Sequence, residues 1–165
     1  MPELPRIVVC NSTPIISLAL IDKLYLLEHL YNQVFIPPAV QSEVLTGGRR
    51  GIGVVQLQRA GWIQMRALQD PRRADLLSDL DRGEAEVIAL AQEISADLVI
   101  IDERLGRRHA RRLGLMLTGT LGILLKAKER LLITEIKPLV EQLQRGGIRL
   151  GDTVVIQALK LADED

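Results

Sequence analysis

The chain has almost no aromatic residues: one Trp, one Phe and two Tyr in 165 positions. Its interior must therefore be aliphatic, built from Leu, Ile, Val and Ala. So few rings also exclude a base-stacking platform of the single-strand-binding type, which needs several exposed aromatics. Cysteine is nearly absent as well. Cys10 stands alone, which excludes an internal disulfide and any multi-cysteine zinc centre. At the end of an apolar run it reads as an inert core thiol. There is no charge excess, with 21 basic and 21 acidic residues. Attraction to a polyanion must then come from local segregation of charge. No apolar run approaches membrane-spanning length. No charged start followed by a long apolar stretch marks a signal peptide. The sequence reads as that of a cytoplasmic protein.

What is present is enough chain for one domain with a real core. Short apolar runs alternate with segments of helical spacing. Residues 7–10, 33–36, 62–66, 98–101 and 115–118 read as strands. Helices are predicted over 14–20, from Asp22 through Tyr31, over 39–46 behind Pro37-Pro38, over 54–60 and over 83–95. More follow over 104–112, 121–132, 135–145 and 151–162. Ser12 or Thr13 reads as the N-cap of the first helix, and Gly47-Gly48 as the stop of the third. Strands alternating with helices predict an α/β fold, with a central and mainly parallel sheet between helical layers. No repeat or linker divides the chain. Residues 136–165 read as a C-terminal helical extension.

The segment LVIIDERLGRRHARRLGL, residues 98–115, concentrates the chemistry. An apolar strand delivers Asp102 and Glu103 at its carboxyl end, where open α/β sheets bind their ligands. A helix carrying Arg104, Arg107, Arg108, Arg111 and Arg112 follows at once. Carboxylates beside an arginine face suit a divalent metal and a phosphate chain. A strand-end acid is often only the cap of the next helix, which accounts for one of the two, and an arginine run is usually a solvated face. Five arginines in nine residues with no interleaved acid favour phosphate contact. Smaller basic groups lie at 49–50 and 72–73.

The first strand ends in a similar way, with Asn11-Ser12-Thr13. Asn11 reads either as a turn or cap residue or as a neutral oxygen ligand. Glu43 in PPAVQSEV and Glu84 in DRGEAEVIALAQE are two further acids on helices. Alone, Glu43 is an ordinary surface glutamate, and Glu84 is an acid favoured by the helix dipole. Asp81, Glu86 and Glu93 read as solvated surface. His29 and His109 lack metal-ligand spacing. GGRRGIG and GTLG match no phosphate-loop pattern.

Taken together, in order and spacing, these residues resemble the PIN-domain family of metal-dependent ribonucleases, in its toxin-like prokaryotic branch. IVVCNSTPII resembles the family's opening strand, with Asn11 in the place of its first Asp. PPAVQSEV resembles its second acidic helix through Glu43, and GEAEVIALA its third through Glu84. LVIIDERLGRR resembles its last acidic position through Asp102, with Glu103 adjacent. The likeness spans residues 7–135 and extends to LTGTLGILLKAKERLLI. It implies a metal-dependent RNA endonuclease, a toxin-like partner of a small antitoxin. In that picture Glu43, Glu84 and Asp102 are catalytic. Mg²⁺ or Mn²⁺ is held by Asn11, Glu43, Glu84, Asp102 and Glu103. Ser12, Thr13, Arg104, Arg107, Arg108 and Arg111 bind substrate. A homodimer is compatible with it. Asn11 removes one charge from the implied metal site, and a non-catalytic RNA-binding or interaction module is the alternative.

Overall fold

The computed structural model describes residues 7–47 and 50–165. Gly48, read from sequence as part of a helix stop, and Arg49, read as part of a basic group, lie outside the described residues, as do residues 1–6. The elements run β1 (Val8–Cys10), α1 (Ser12–Leu20), α2 (Tyr25–Tyr31), β2 (Val34–Ile36), α3 (Pro38–Leu45), α4 (Val54–Arg59) and β3 (Ile63–Met65). They continue with α5 (Arg72–Asp75), α6 (Arg82–Glu93), β4 (Leu98–Ile100), α7 (Arg104–Arg112), β5 (Leu117–Thr118), α8 (Thr120–Glu129), α9 (Lys137–Arg145) and α10 (Asp152–Leu161).

The five strands form one all-parallel sheet in the order β3-β2-β1-β4-β5. Val9 sits opposite Phe35 on one side and Val99 on the other. Parallel strands covered on both faces read as unbroken apolar runs, and the central strand β1, with Val8, Val9 and Cys10, is fully buried. Helix α6 packs on β1 and β4 and gathers α3, α5 and α7, while α8 packs on β5 and meets α1, α2 and α10. The result is the three-layer α/β/α sandwich expected from the alternation. The core is aliphatic as composition required, with Leu18, Leu27, Ile88, Leu90, Ile100 and Leu124 among its fully buried side chains. No helix among the described residues is long and apolar enough to cross a membrane.

The strand order fixes where a ligand can enter. From β1 the chain builds outward through β2 and β3, then returns and builds outward on the other side through β4 and β5. The reversal opens a crevice beyond the carboxyl ends of β1 and β4. Asn11 follows β1 directly, and Asp102 and Glu103 follow β4.

Several local readings shift. Asn11, not Ser12 or Thr13, is the N-cap position of α1, and its side chain makes no capping bond. Ser12 and Thr13 lie inside the first turn, with their hydroxyls free for other partners. The second helix starts at Tyr25 rather than Asp22, because Asp22 adopts a left-handed backbone (φ 56°) that interrupts the helix. Glu86 is buried, not solvated: it accepts from the Ala39 backbone N–H and from Arg82. The C-terminus is tied down by Glu164, which accepts from the Ile136 and Lys137 backbone N–H groups and pairs with Lys128. The ammonium of Lys128 also donates to the Ala162 carbonyl.

Candidate active site

Four elements meet at the β1–β4 crevice. The start of α1 brings Asn11, Ser12 and Thr13. Helix α3 brings Glu43, and the start of α6 brings Glu84. The entry to α7 brings Asp102 and Glu103. Glu43, Asp102 and Glu103 each accept from a neutral side-chain donor. The Asn11 amide Nδ2 donates to Glu103 Oε2 (3.1 Å), and the Thr13 hydroxyl donates to Glu103 Oε1 (2.5 Å). The Ser12 hydroxyl donates to Glu43 Oε2 (2.7 Å). Asp102 accepts twice from Thr120, from the backbone N–H at 2.7 Å and from the hydroxyl at 2.6 Å.

Glu84 is set by a capping box. Its backbone N–H donates to Asp81 Oδ1 (2.8 Å), and its carboxylate accepts from the Asp81 backbone N–H (3.3 Å). This fixes the first turn of α6 and leaves Glu84 only 7% exposed. Burial, then the charges of Asp81, Glu103 and Glu43, push its pKa up to about 7. Burial also raises the carboxyl of Asp102, against the lowering effect of its two bonds from Thr120. The Cys10 thiol beneath is raised well above its ordinary value, chiefly by burial, so it stays protonated and unreactive.

Gly83 explains how close these groups come. A methyl group at its Cα would sit 3.1 Å from Glu43 Oε2, 3.6 Å from Asn11 Oδ1 and 3.6 Å from Asp81 Oδ1. Three oxygens from three elements thus surround one small space that glycine keeps open. Asn11 Oδ1 is buried and accepts no hydrogen bond among the described residues. A buried carbonyl oxygen with no partner costs about 1–3 kcal/mol of desolvation, and here it faces acidic oxygens rather than donors. An oxygen-rich cradle with one orphaned acceptor fits a hard divalent cation. Among the described residues, no three His, Cys, Asp or Glu side chains are drawn together into a ready metal-binding group. The carboxylates accept instead from Asn11, Ser12, Thr13 and Thr120.

A groove of about 590 Å³ opens beside the acids, with Thr13 and Asp102 at one end. Arg104, Arg107 and Arg111 of α7 line it, at a spacing that puts them on one helical face. Arg108 and Arg112 are not part of that lining. Arg107 also donates from its guanidinium to the Ile101 carbonyl (2.9 Å). His109 pairs with Asp79 (2.9 Å) on another side of the helix.

Sequence reasoning passed over three contributors. Asp81 was legible from the Asp-x-x-Glu spacing of a capping box. Thr120 was legible only as the residue after Gly119. Arg149, in the groove lining, gave no signal, because it lies in a loop remote in sequence.

An open parallel sheet with acids at its switch point, flanked by an arginine groove, defines a nuclease-like α/β domain. A family model described as a PIN domain matches residues 7–164, and the chain belongs to that family. PIN domains generally use divalent metal ions, and membership suggests nucleic-acid binding. No curated protein matches the sequence.

Proposed function

We propose that the protein is a Mg²⁺- or Mn²⁺-dependent RNA endonuclease. The observation that carries this reading is the orphaned Asn11 oxygen beside Glu43 at Gly83, in the crevice where an open α/β sheet binds its ligand. Asn11, Glu43, Glu84 and Glu103 are the proposed metal-holding residues. Asp102 completes the set: its two oxygens accept from Thr120 just as those of Glu103 accept from Asn11 and Thr13, so hydrogen bonding sets neither acid apart. A divalent ion at this site supplies polarisation of the scissile phosphate and a lowered pKa for an attacking water. Ser12 and Thr13 orient the carboxylates they bond. Glu84, with its pKa near neutrality, gives up its proton when positive charge arrives. Arg104, Arg107 and Arg111 hold the phosphate backbone beside the cluster.

The test is single-turnover cleavage of a short single-stranded RNA. Cleavage is expected with Mg²⁺ or Mn²⁺ and none with EDTA. Glu84→Gln and Glu103→Gln are each expected to lower the rate at least about 100-fold, the scale of losing one electrostatic contributor to a transition state. Cleavage that persists in EDTA, or in both variants, contradicts the reading. A second reading, binding without cleavage, is favoured by the charge that Asn11 lacks. The same assay separates the two, since that module retains RNA but leaves it intact. The toxin-like role, with a small antitoxin as inhibitor, extends the first reading. A small reading frame beside the gene would support it.

A further inference from the structure

The arginine groove has a second wall that phosphate binding does not use. Leu121 and Leu125 of α8, Ile148 and Val154 also line it, with Leu121 and Ile148 almost buried and Val154 open. Val154 is 55% exposed, and Leu161 at the rim is 69% exposed. Leaving such apolar surface open beside charged side chains is unfavourable unless something covers it. The volume lies within the ~300–1,000 Å³ range of small-molecule sites. Gln157 in the lining offers an amide donor and acceptor.

We propose that this groove is a subsite for one unstacked nucleotide of single-stranded RNA, adjoining the scissile phosphate. The proposal rests on the nuclease reading for its position next to the acids. The nucleotide's phosphates lie against Arg104, Arg107 and Arg111. Its base lies between the leucine–isoleucine–valine wall and the guanidinium planes, which substitute for the missing aromatic platforms. Gln157 meets the polar edge of the base. Charge complementarity favours this occupant. Among the described residues, Arg104 and Arg111 have no ion-pair partner. The one carboxylate in the lining, Asp102, already accepts from Thr120. Continuity favours it too. Thr13 and Asp102 border both the groove and the acidic cluster, so a strand with one phosphate at the acids has its next nucleotide in the groove. An acidic peptide matches the arginines but carries no planar ring to lie between them and the apolar wall. A duplex keeps its bases stacked and leaves the apolar wall uncovered.

The test reads binding in EDTA, so its outcome is independent of whether cleavage occurs. A pentanucleotide is used intact and with one abasic residue moved through each position, and affinity is read by fluorescence anisotropy. Removing the base at one position is expected to weaken binding about tenfold, with the other positions within about twofold. In Val154→Ser/Leu161→Ser that discrimination collapses, whereas Arg107→Ala weakens all the oligonucleotides alike. Both apolar positions are exposed, so the double variant keeps its fold. As a second readout in the unaltered protein, the methyl signals of Leu125 and Ile148 shift with intact RNA and not with the critical abasic form. Equal affinity for every abasic form, discrimination that survives the double variant, or methyl signals indifferent to the base each overturn the proposal. Absence of any RNA binding overturns it as well and leaves the groove to a protein partner.

Discussion

Asn11 shows how much can hang on one atom. Its amide donates to Glu103, an interaction an aspartate cannot make, and its carbonyl oxygen faces Glu43 across Gly83. Asn11→Asp therefore has two opposed effects. Without metal it sets a carboxylate 3.1 Å from Glu103 where a hydrogen bond stood, and like charges at that distance repel. With metal it adds a full charge where the native residue offers only a dipole. The expected outcome is a lower melting temperature than the native protein in EDTA, a larger rise on adding Mg²⁺, and faster cleavage at saturating Mg²⁺. Thermal shift measurements with and without Mg²⁺ check the first two. An Asn11→Asp protein that gains nothing from Mg²⁺ relative to the native form places residue 11 outside the metal's reach.

Glu84 sets a pH dependence at the same scale. Its ordinary value is 4.5 and its folded value is raised to about 7. Between those values the folded state holds a proton that the unfolded state has lost. Stability of the metal-free protein must then fall as pH rises from about 4.5 to about 7. Glu84→Gln, which cannot ionise, is expected to flatten this part of the melting temperature–pH curve. An unchanged slope would assign the effect elsewhere. Asp102 and Glu103 mark the limit of legibility for single residues. They are adjacent in sequence, and the acids alone give no reason to choose between them. The strand ends at Ile100 rather than 101, and the two side chains leave it toward different helices. Asp102 meets the start of α8 and Glu103 the start of α1. That divergence depends on tertiary packing, which no spacing rule encodes.

At the scale of elements, α6 and α7 carry the site. The capping box that starts α6 is also what fixes Glu84. Asp81→Ala is expected to cost about 1 kcal/mol, or about 2–4 °C in melting temperature for a domain of this size. It should also lower the pKa of Glu84, because Asp81 is the first of the charges that raise it. A titration of Glu84 by NMR in Asp81→Ala reads this directly. For α7, the spacing of Arg104, Arg108, Arg111 and Arg112 reads as one helical side, whereas Arg104, Arg107 and Arg111 line the groove. A 3.6-residue period accommodates 104, 108, 111 and 112 as readily as 104, 107 and 111. Gly106 settles the rotation. A side chain there would come within 2.5 Å of Ile101 Cδ1, so this face packs tightly on the end of β4 and Arg107 turns toward the groove. Arg107→Ala and Arg111→Ala are each expected to reduce the salt dependence of RNA binding by about one phosphate contact, and Arg108→Ala by less. Equal slopes for all three would mean that the groove is not the phosphate path.

At the scale of the molecule, the architecture was more legible than the site. Five short apolar runs separated by helical segments already demanded a parallel sheet. The scarcity of rings fixed its aliphatic core. The strand order, with β1 central and β4 beside it, was not readable from any segment. Yet it explains why residues 11, 43, 84 and 103, far apart in sequence, reach one crevice. The central claim is that these four, with Asp102 beside Glu103, share one divalent cation. Calorimetric titration with Mn²⁺ tests it most directly, on the native protein, Glu84→Gln and Glu103→Gln near pH 7. The account predicts one Mn²⁺ per chain, displaced by Mg²⁺. It also predicts release of a proton as Glu84 ionises and at least about tenfold weaker binding in each variant. Absence of binding at millimolar Mn²⁺, or variants that bind as tightly as the native protein, would contradict it.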